Sequence, residues 1–241
     1  MSDTWLPYAD YLELLDADHA RIAGLAAPHA AAPVPTCPGW SMHDLLRHLA
    51  AVYQRSAQIV RTGQEAPRRE PEAGDAGPLF AAAYGELRAA LADGDPVAPC
   101  WTWSPDDRTV SFWARRMAHE TAVHRVDAEL AAGEVTSVPV RASVDGLSEI
   151  LDLWIPQRAA QRGGAVYEPV LVRTGEHAWR VSLDADALRA EPGPGPAATT
   201  VSGEPSELFL FLWGRRPAEA VRIDGDPAAV HELRRRLGAA Q

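Results

Sequence analysis

The residues best suited to chemistry in this sequence are a glutamate and a histidine four positions apart, Glu120 and His124. They lie in a stretch predicted to be helical, where an apolar stripe begins at Trp113 and Met117 and continues onto the two polar residues. A carboxylate and an imidazole one turn apart, both directed inward, suit a divalent metal ion. Because a buried carboxylate is costly unless it is paired, the alternative is a structural Glu–His hydrogen bond.

A second histidine, His48, provides a third candidate ligand. Ser41 and Asp44 have the types and spacing of a capping box, which predicts a helix start just before this histidine. His48 lies about 60° from the apolar face of that helix, so it is either a core or boundary histidine or a ligand. With Glu120 and His124 it would form a His/Glu/His set with one open position, as in catalytic rather than structural zinc sites.

His119 gives the start of the zinc-protease motif H-E-x-x-H, but the motif is not completed. Val123 occupies the position of its second histidine, and His124 follows one residue later. One helix would direct His119 and His124 about 140° apart, so both cannot bind one metal ion. We therefore expect Glu120 to be a ligand rather than a general base, and a peptidase is disfavoured.

Composition and charge exclude several classes of function. The formal net charge is −10, and the longest basic run is Arg234–Arg236, so nucleic-acid binding is disfavoured. The chain contains no lysine, which excludes Schiff-base chemistry and a P-loop. A signal peptide and a long apolar span are both missing, which predicts a cytoplasmic protein without a membrane segment. Cys37 and Cys100 are then expected to be reduced. Cys37 is interpreted as an ordinary small thiol at a turn. The alternative is that it is a nucleophile or a fourth metal ligand.

The hydrophobic periodicity predicts two domains. Residues 1–135 contain four helical segments and are assigned to an all-α four-helix bundle, a fold that builds metal sites from inward side chains. Residues 136–241 are assigned to a small α+β domain. The elements predicted there are a helix within residues 138–159, a hairpin of strands 166–173 and 178–183, a loop over 191–196, two short strands and two further helices. Pro169 predicts that the first hairpin strand lies at a sheet edge.

Three stretches resemble one known family. The run Thr36-Cys37-Pro38-Gly39-Trp40-Ser41, followed by Asp44 and His48, resembles the N-terminal motif of the mycothiol-dependent maleylpyruvate isomerase family, which belongs to the DinB-like metal-binding four-helix bundles. The stretch from Phe112 to Asp127 resembles its second motif, and that from Ser202 to Asp226 is similar to its C-terminal α+β domain. By this resemblance His48, Glu120 and His124 are three zinc ligands.

The resemblance implies a zinc-dependent enzyme that uses mycothiol as a thiol cosubstrate on a small electrophilic metabolite. Addition of the thiolate, bond rotation and elimination would make it a cis–trans isomerase of a maleyl-type acid. Addition alone, or displacement of a leaving group, would make it a thiol S-transferase. The alternatives are a non-catalytic zinc-binding bundle that senses or sequesters a small ligand, and metal-assisted hydrolysis without a thiol.

Three charged residues near the candidate ligands have two interpretations each. Arg116, four residues before Glu120, and Asp127, three residues after His124, either orient the ligands or form surface salt bridges. Arg125 either serves an acidic substrate or is solvated.

Overall fold

The computed structural model describes residues 4–155 and 163–238 and forms two compact units. One unit contains Leu6–Thr136. The other contains the described residues from Ser137 onward, together with Thr4 and Trp5. Within the described ranges, the helices are all too short or too polar to cross a membrane.

The Leu6–Thr136 unit is helical. Its long helices are α1 (Tyr8–Ala26), α2 (Met42–Thr62), α3 (Ala76–Asp93) and α4 (Val110–Ala132).

Local signals set the bounds of the two helices that carry the candidate ligands. At the start of α2, Ser41 Oγ accepts a hydrogen bond from the Asp44 amide at 3.3 Å, and Asp44 accepts one from the Ser41 amide at 2.9 Å, which is the predicted capping box. Helices α2 and α4 end at Gly63 and Gly133, whose φ angles of +67° and +79° are the left-handed conformation that glycine tolerates.

Helices α2 and α4 pack against each other through buried side chains. Helix α2 packs against α3 and α4, and α1 packs against α4. Leu45, Leu49 and Tyr53 form a fully buried stripe on α2. The Tyr53 hydroxyl lies 2.7 Å from Thr121 Oγ1 on α4, a buried hydrogen bond that fixes the register of the two helices next to Glu120.

The second unit contains helices and a five-stranded sheet. Its elements, in chain order, are α5 (Val140–Ser148), a π-helical segment (Glu149–Trp154), β1 (Tyr167–Thr174), β2 (His177–Leu183), β3 (Leu188–Pro192), β4 (Thr199–Ser202), α6 (Pro205–Leu212), β5 (Arg222–Asp224) and α7 (Pro227–Gly238). The strands lie in the order β3-β2-β1-β4-β5. Strands β1 and β2 form the predicted antiparallel hairpin, and β4 runs parallel to β1.

Three predictions for this unit need correction or restriction. The prediction that Pro169 marks an edge strand is wrong, because β1 lies between β2 and β4. The register of β1 with β2 shifts between Tyr167 and Val170, so the missing N–H of proline falls at an irregularity of the ladder. The loop predicted for residues 191–196 begins two residues later in the structure, because Glu191 and Pro192 are the last residues of β3. The predicted helix within 138–159 is α5 plus the π-helical segment, and its last residues lie outside the described ranges.

Candidate metal centre

Helices α2 and α4 bring the three predicted ligands together. His48 Nε2 lies 3.3 Å from Glu120 Oε1, and His124 Nε2 lies 3.4 Å from the same oxygen. One donor atom from each residue lies within 4.8 Å of the other two. The two imidazole rings meet edge to face, with centroids 5.0 Å apart. Two ring nitrogens and one carboxylate oxygen thus converge on one point.

The spacing of these donor atoms fits a zinc ion. Atoms held 2.0–2.1 Å from a tetrahedral zinc lie about 3.3–3.4 Å from one another, which matches the two distances to Glu120 Oε1. The donor types, two imidazoles and one carboxylate, are those of catalytic sites that keep one position open. The same distances also suit a carboxylate between two protonated histidines, so the assignment of His48, Glu120 and His124 as ligands stays a prediction.

Asp127 is hydrogen-bonded to His124. Its Oδ2 atom lies 2.8 Å from His124 Nδ1, and its side chain is fully buried one turn further along α4. Because a carboxylate accepts, Nδ1 carries a hydrogen, and Nε2 is the ring nitrogen that faces Glu120. Burial lowers the pKa of His124, but the hydrogen bonds to Asp127 and Glu120 outweigh it and raise that pKa to about 9 in the metal-free protein.

Arg116 pairs with Glu120. It lies one turn earlier on α4, is buried, and donates to Glu120 Oε2, which leaves Oε1 facing the two histidines. Burial alone would raise the pKa of Glu120. The Arg116 guanidinium, together with His124 and His48, reverses that effect and holds the pKa well below its usual range. Glu120 is therefore ionised, and Arg116 is part of the interior rather than of a surface ion pair.

The segment before α2 also reaches Asp127. Thr36 Oγ1 donates to Asp127 Oδ1 at 2.5 Å, and Cys37 Sγ lies 3.7 Å from Asp127 Oδ2. Cys37 therefore lies beside the residue that orients His124, and with His124 and Asp127 it forms a second group of potential ligand atoms. Sequence reasoning missed Thr36, although this residue opens the T-C-P-G-W-S motif.

The candidate centre is most open to solvent beside His48. The His48 side chain is 31% exposed, whereas that of His124 is 10% exposed. The ring of Trp40, which is partly exposed, lies 5.0 Å from the His48 ring, centroid to centroid. A small molecule approaching the three donor atoms would therefore meet the edge of the site formed by His48 and Trp40.

Arg125, which the sequence suggested as a possible contact for an acidic substrate, lies in the protein interior. Arg125 is buried and pairs with Asp18 at 3.0 Å and with Glu129 at 2.8 Å, so the expectation of a solvated arginine is wrong. His119 is also buried, edge-on to Tyr11 with ring centroids 6.3 Å apart.

The two tryptophans of the preceding loop pack against the start of α4. The Trp113 indole N–H donates to the Trp101 carbonyl at 2.8 Å, and the two rings lie 6.2 Å apart. Trp103 meets Phe112 edge to face at 5.2 Å.

Comparison with known proteins adds an independent finding. A family model described as the mycothiol maleylpyruvate isomerase N-terminal domain matches residues 12–129, and one described as the C-terminal domain of the same family matches residues 141–232. Together they span most of the chain. No curated protein sequence matches it.

Solved structures with a similar fold include two crystal structures of a mycothiol-dependent maleylpyruvate isomerase, one of them a His-to-Ala variant. They are 19% and 18% identical to this chain, each with a TM-score of 0.63 over 92% of this chain and 95% of the other. At this identity the likeness shows a shared fold.

Proposed function

Because this chain belongs to the mycothiol maleylpyruvate isomerase family, a family of enzymes, we propose that it is a zinc-dependent isomerase that uses mycothiol as its thiol cosubstrate. The proposed reaction converts a small maleyl-type acid from cis to trans. It proceeds by addition of the thiol sulfur to the double bond, rotation about the resulting single bond, and elimination that restores the thiol. The observation that carries the proposal is the convergence of His48, Glu120 and His124.

Each of the three proposed ligands has a defined chemical task. A zinc ion held by His48, Glu120 and His124 would lower the pKa of a thiol at its open position and so supply a thiolate near neutral pH. Glu120 contributes the negative charge of the set and is kept ionised by Arg116. His124 is held by Asp127 through Nδ1, so that Nε2 faces the centre and would bind zinc after losing its hydrogen, and His48 completes the set from α2.

The exposed edge beside His48 and Trp40 is the proposed entry for both small molecules. His48 is the most exposed of the three ligands, and the Trp40 ring provides an apolar wall next to it. Nucleic acid is not a proposed partner, given the formal charge of −10.

The proposal also covers the domain organisation. We assign residues 1–135 to a DinB-like four-helix bundle that carries the metal site and residues 136–241 to an α+β domain. The pairing of α2 with α4 and of α1 with α4 supports the bundle. The five-stranded sheet with α5, α6 and α7 supports the second assignment.

Metal content is the first test. Zinc would be measured by plasma mass spectrometry in the wild type, in His124→Ala, and in His43→Ala, an exposed histidine on α2 that serves as the matched control. We expect about one zinc per chain in the wild type and in the control, and loss of zinc from the folded His124→Ala variant. A wild type that takes up no zinc when zinc is offered would rule the mechanism out.

Thiol dependence is the second test, because it separates the proposed reaction from its rivals. The zinc-loaded protein would be given a maleyl-type acid with and without mycothiol, and the products would be separated. A trans acid formed only with the thiol supports the isomerase. A stable thioether would indicate an S-transferase, turnover without thiol would indicate hydrolysis, and ligand-dependent stabilisation without turnover would indicate a binding protein.

A further inference from the structure

One short segment contacts the environment of both candidate histidine ligands. The segment Thr36–Ser41 connects to Asp127 through the Thr36 hydroxyl and the Cys37 thiol, and Asp127 holds His124. Further along the same segment, the Trp40 ring lies against His48. The segment thus joins the two ligand-bearing helices at the candidate centre.

The backbone of this segment is held in one conformation. The Val34 amide donates to the Trp40 carbonyl at 2.9 Å, and the Trp40 amide donates to the Cys37 carbonyl at 3.0 Å. Gly39 turns the chain with a φ of +84°, which an L side chain rarely adopts. These hydrogen bonds enclose Thr36 in a closed loop, and its hydroxyl lies within hydrogen-bond distance of Asp127.

The carboxylate of Asp127 needs such donors. It is fully buried, and a buried carboxylate keeps its position only when hydrogen-bond donors satisfy its oxygens. Thr36 donates to Oδ1, while His124 Nδ1 donates to Oδ2. The Cys37 contact with Oδ2 is long, as expected for a weak sulfur donor. Thr36 therefore provides a strong donor to the carboxylate oxygen of Asp127 that His124 does not use.

We propose that Thr36 is a positioning residue for the metal centre: its hydroxyl fixes the Asp127 carboxylate, which in turn fixes the ring of His124. This inference rests on the proposed function, in which His124 binds zinc. The effect reaches zinc through one intermediate residue, so we expect loss of the Thr36 hydroxyl to weaken zinc binding about tenfold, the lower end of the range for groups that support metal ligands.

The test compares zinc affinity among Thr36 variants, measured by competition with a chromogenic chelator. Thr36→Val removes the hydroxyl at nearly constant volume, and Thr36→Ser retains it. The matched control is Thr109→Val, because Thr109 Oγ1 also donates to an aspartate, Asp107 Oδ1 at 2.7 Å, on the loop before α4. Circular dichroism checks each fold, and if Thr36→Val does not fold, Thr36→Ala takes its place. The visible spectrum of the cobalt-substituted proteins gives a second readout of ligand geometry.

We expect about tenfold weaker zinc binding and an altered cobalt spectrum for Thr36→Val, with wild-type values for Thr36→Ser and Thr109→Val. Equal affinity of Thr36→Val and wild type would overturn the inference while leaving the proposed function intact. Equal weakening in all three variants would also overturn it, since the cause would then be general destabilisation. A wild type that binds no zinc would remove the proposed function and this inference together.

Discussion

Asp127 Oδ2 accepts a hydrogen bond from His124 Nδ1 at 2.8 Å, and the two residues lie three positions apart on the same helix. Residues at this spacing are neighbours on one helix face, so α4 itself sets the orientation of the imidazole. The ring is thereby fixed in the metal-free protein, which would reduce the entropy lost in the proposed binding of zinc.

Replacing the carboxylate of Asp127 tests this relationship. We expect Asp127→Asn to weaken zinc binding about 10–100-fold, because a neutral amide holds the imidazole less strongly and can present a donor to it. Zinc affinity measured by chelator competition provides the check. The control is Asp93→Asn at an exposed aspartate near the end of α3. An unchanged affinity for Asp127→Asn would show that His124 needs no support from this carboxylate.

The Arg116–Glu120 pair gives a prediction about the metal-free protein. Arg116→Gln leaves the Glu120 carboxylate without its guanidinium partner, so we expect a loss of about 1.5–3 kcal/mol in the free energy of unfolding. The control is Arg61→Gln, which breaks an exposed pair with Glu86 and is expected to cost at most about 1 kcal/mol. Urea unfolding after chelation measures both. An equal loss in the free energy of unfolding for both variants would mean that burial does not make the Arg116–Glu120 pair more stabilising than an exposed pair.

His19 predicts a dependence of stability on pH. Its ring stacks on Tyr84 with centroids 3.6 Å apart and lies 4.5 Å from Phe80. Burial lowers the pKa of His19 to about 4, against a smaller opposing effect of Asp16. Because the unfolded chain takes up this proton near pH 6.5, the stabilising effect of a neutral His19 is complete above that pH. It is lost as the pH falls from about 6.5 to about 4.

The variant His19→Phe keeps the ring stacking and removes the titration. We expect the wild type to lose about 1–2 kcal/mol more than this variant between neutral pH and pH 4, a value reduced for the solvent that still reaches the ring. Burial raises the pKa of the adjacent Asp18 to about 6, so protonation of this carboxyl stabilises the folded state as the pH falls. This contribution is present in both proteins and cancels when their stabilities are compared. Urea unfolding across this pH range provides the measurement, and parallel curves would contradict the prediction.

Gly146 predicts a packing effect in the second unit. A Cβ atom at this position of α5 would lie 2.4 Å from Cε2 of the buried Phe209. We expect Gly146→Ala to lower stability by about 1–3 kcal/mol, although alanine favours helix. The control is Gly85→Ala in α3, where the added carbon would meet no atom within 4 Å apart from the adjacent backbone of its own helix, and a gain of about 0.5–1 kcal/mol is expected. Thermal unfolding compares them, and a gain for both would refute the packing argument.

The sequence by itself determined what depends on neighbours within one or two turns. The capping box of Ser41 and Asp44 predicted the start of α2, and the structure confirms it. The spacing of Glu120, His124 and Asp127 placed these residues on one helix face because the helix repeat is 3.6 residues. The turn between β1 and β2 was predicted from the same kind of local signal.

Only the tertiary structure decided which distant residues meet. Thr36 and Asp127 are 91 positions apart, and their hydrogen bond depends on how the loop before α2 folds back on α4. His48 reaches Glu120 because the Tyr53–Thr121 bond and the surrounding core fix the register of α2 on α4. The burial of Arg125 and the central place of β1 depend likewise on packing partners remote in sequence. Periodicity shows which face of an element is buried but not what lies against it, because that is decided by the packing of all elements together.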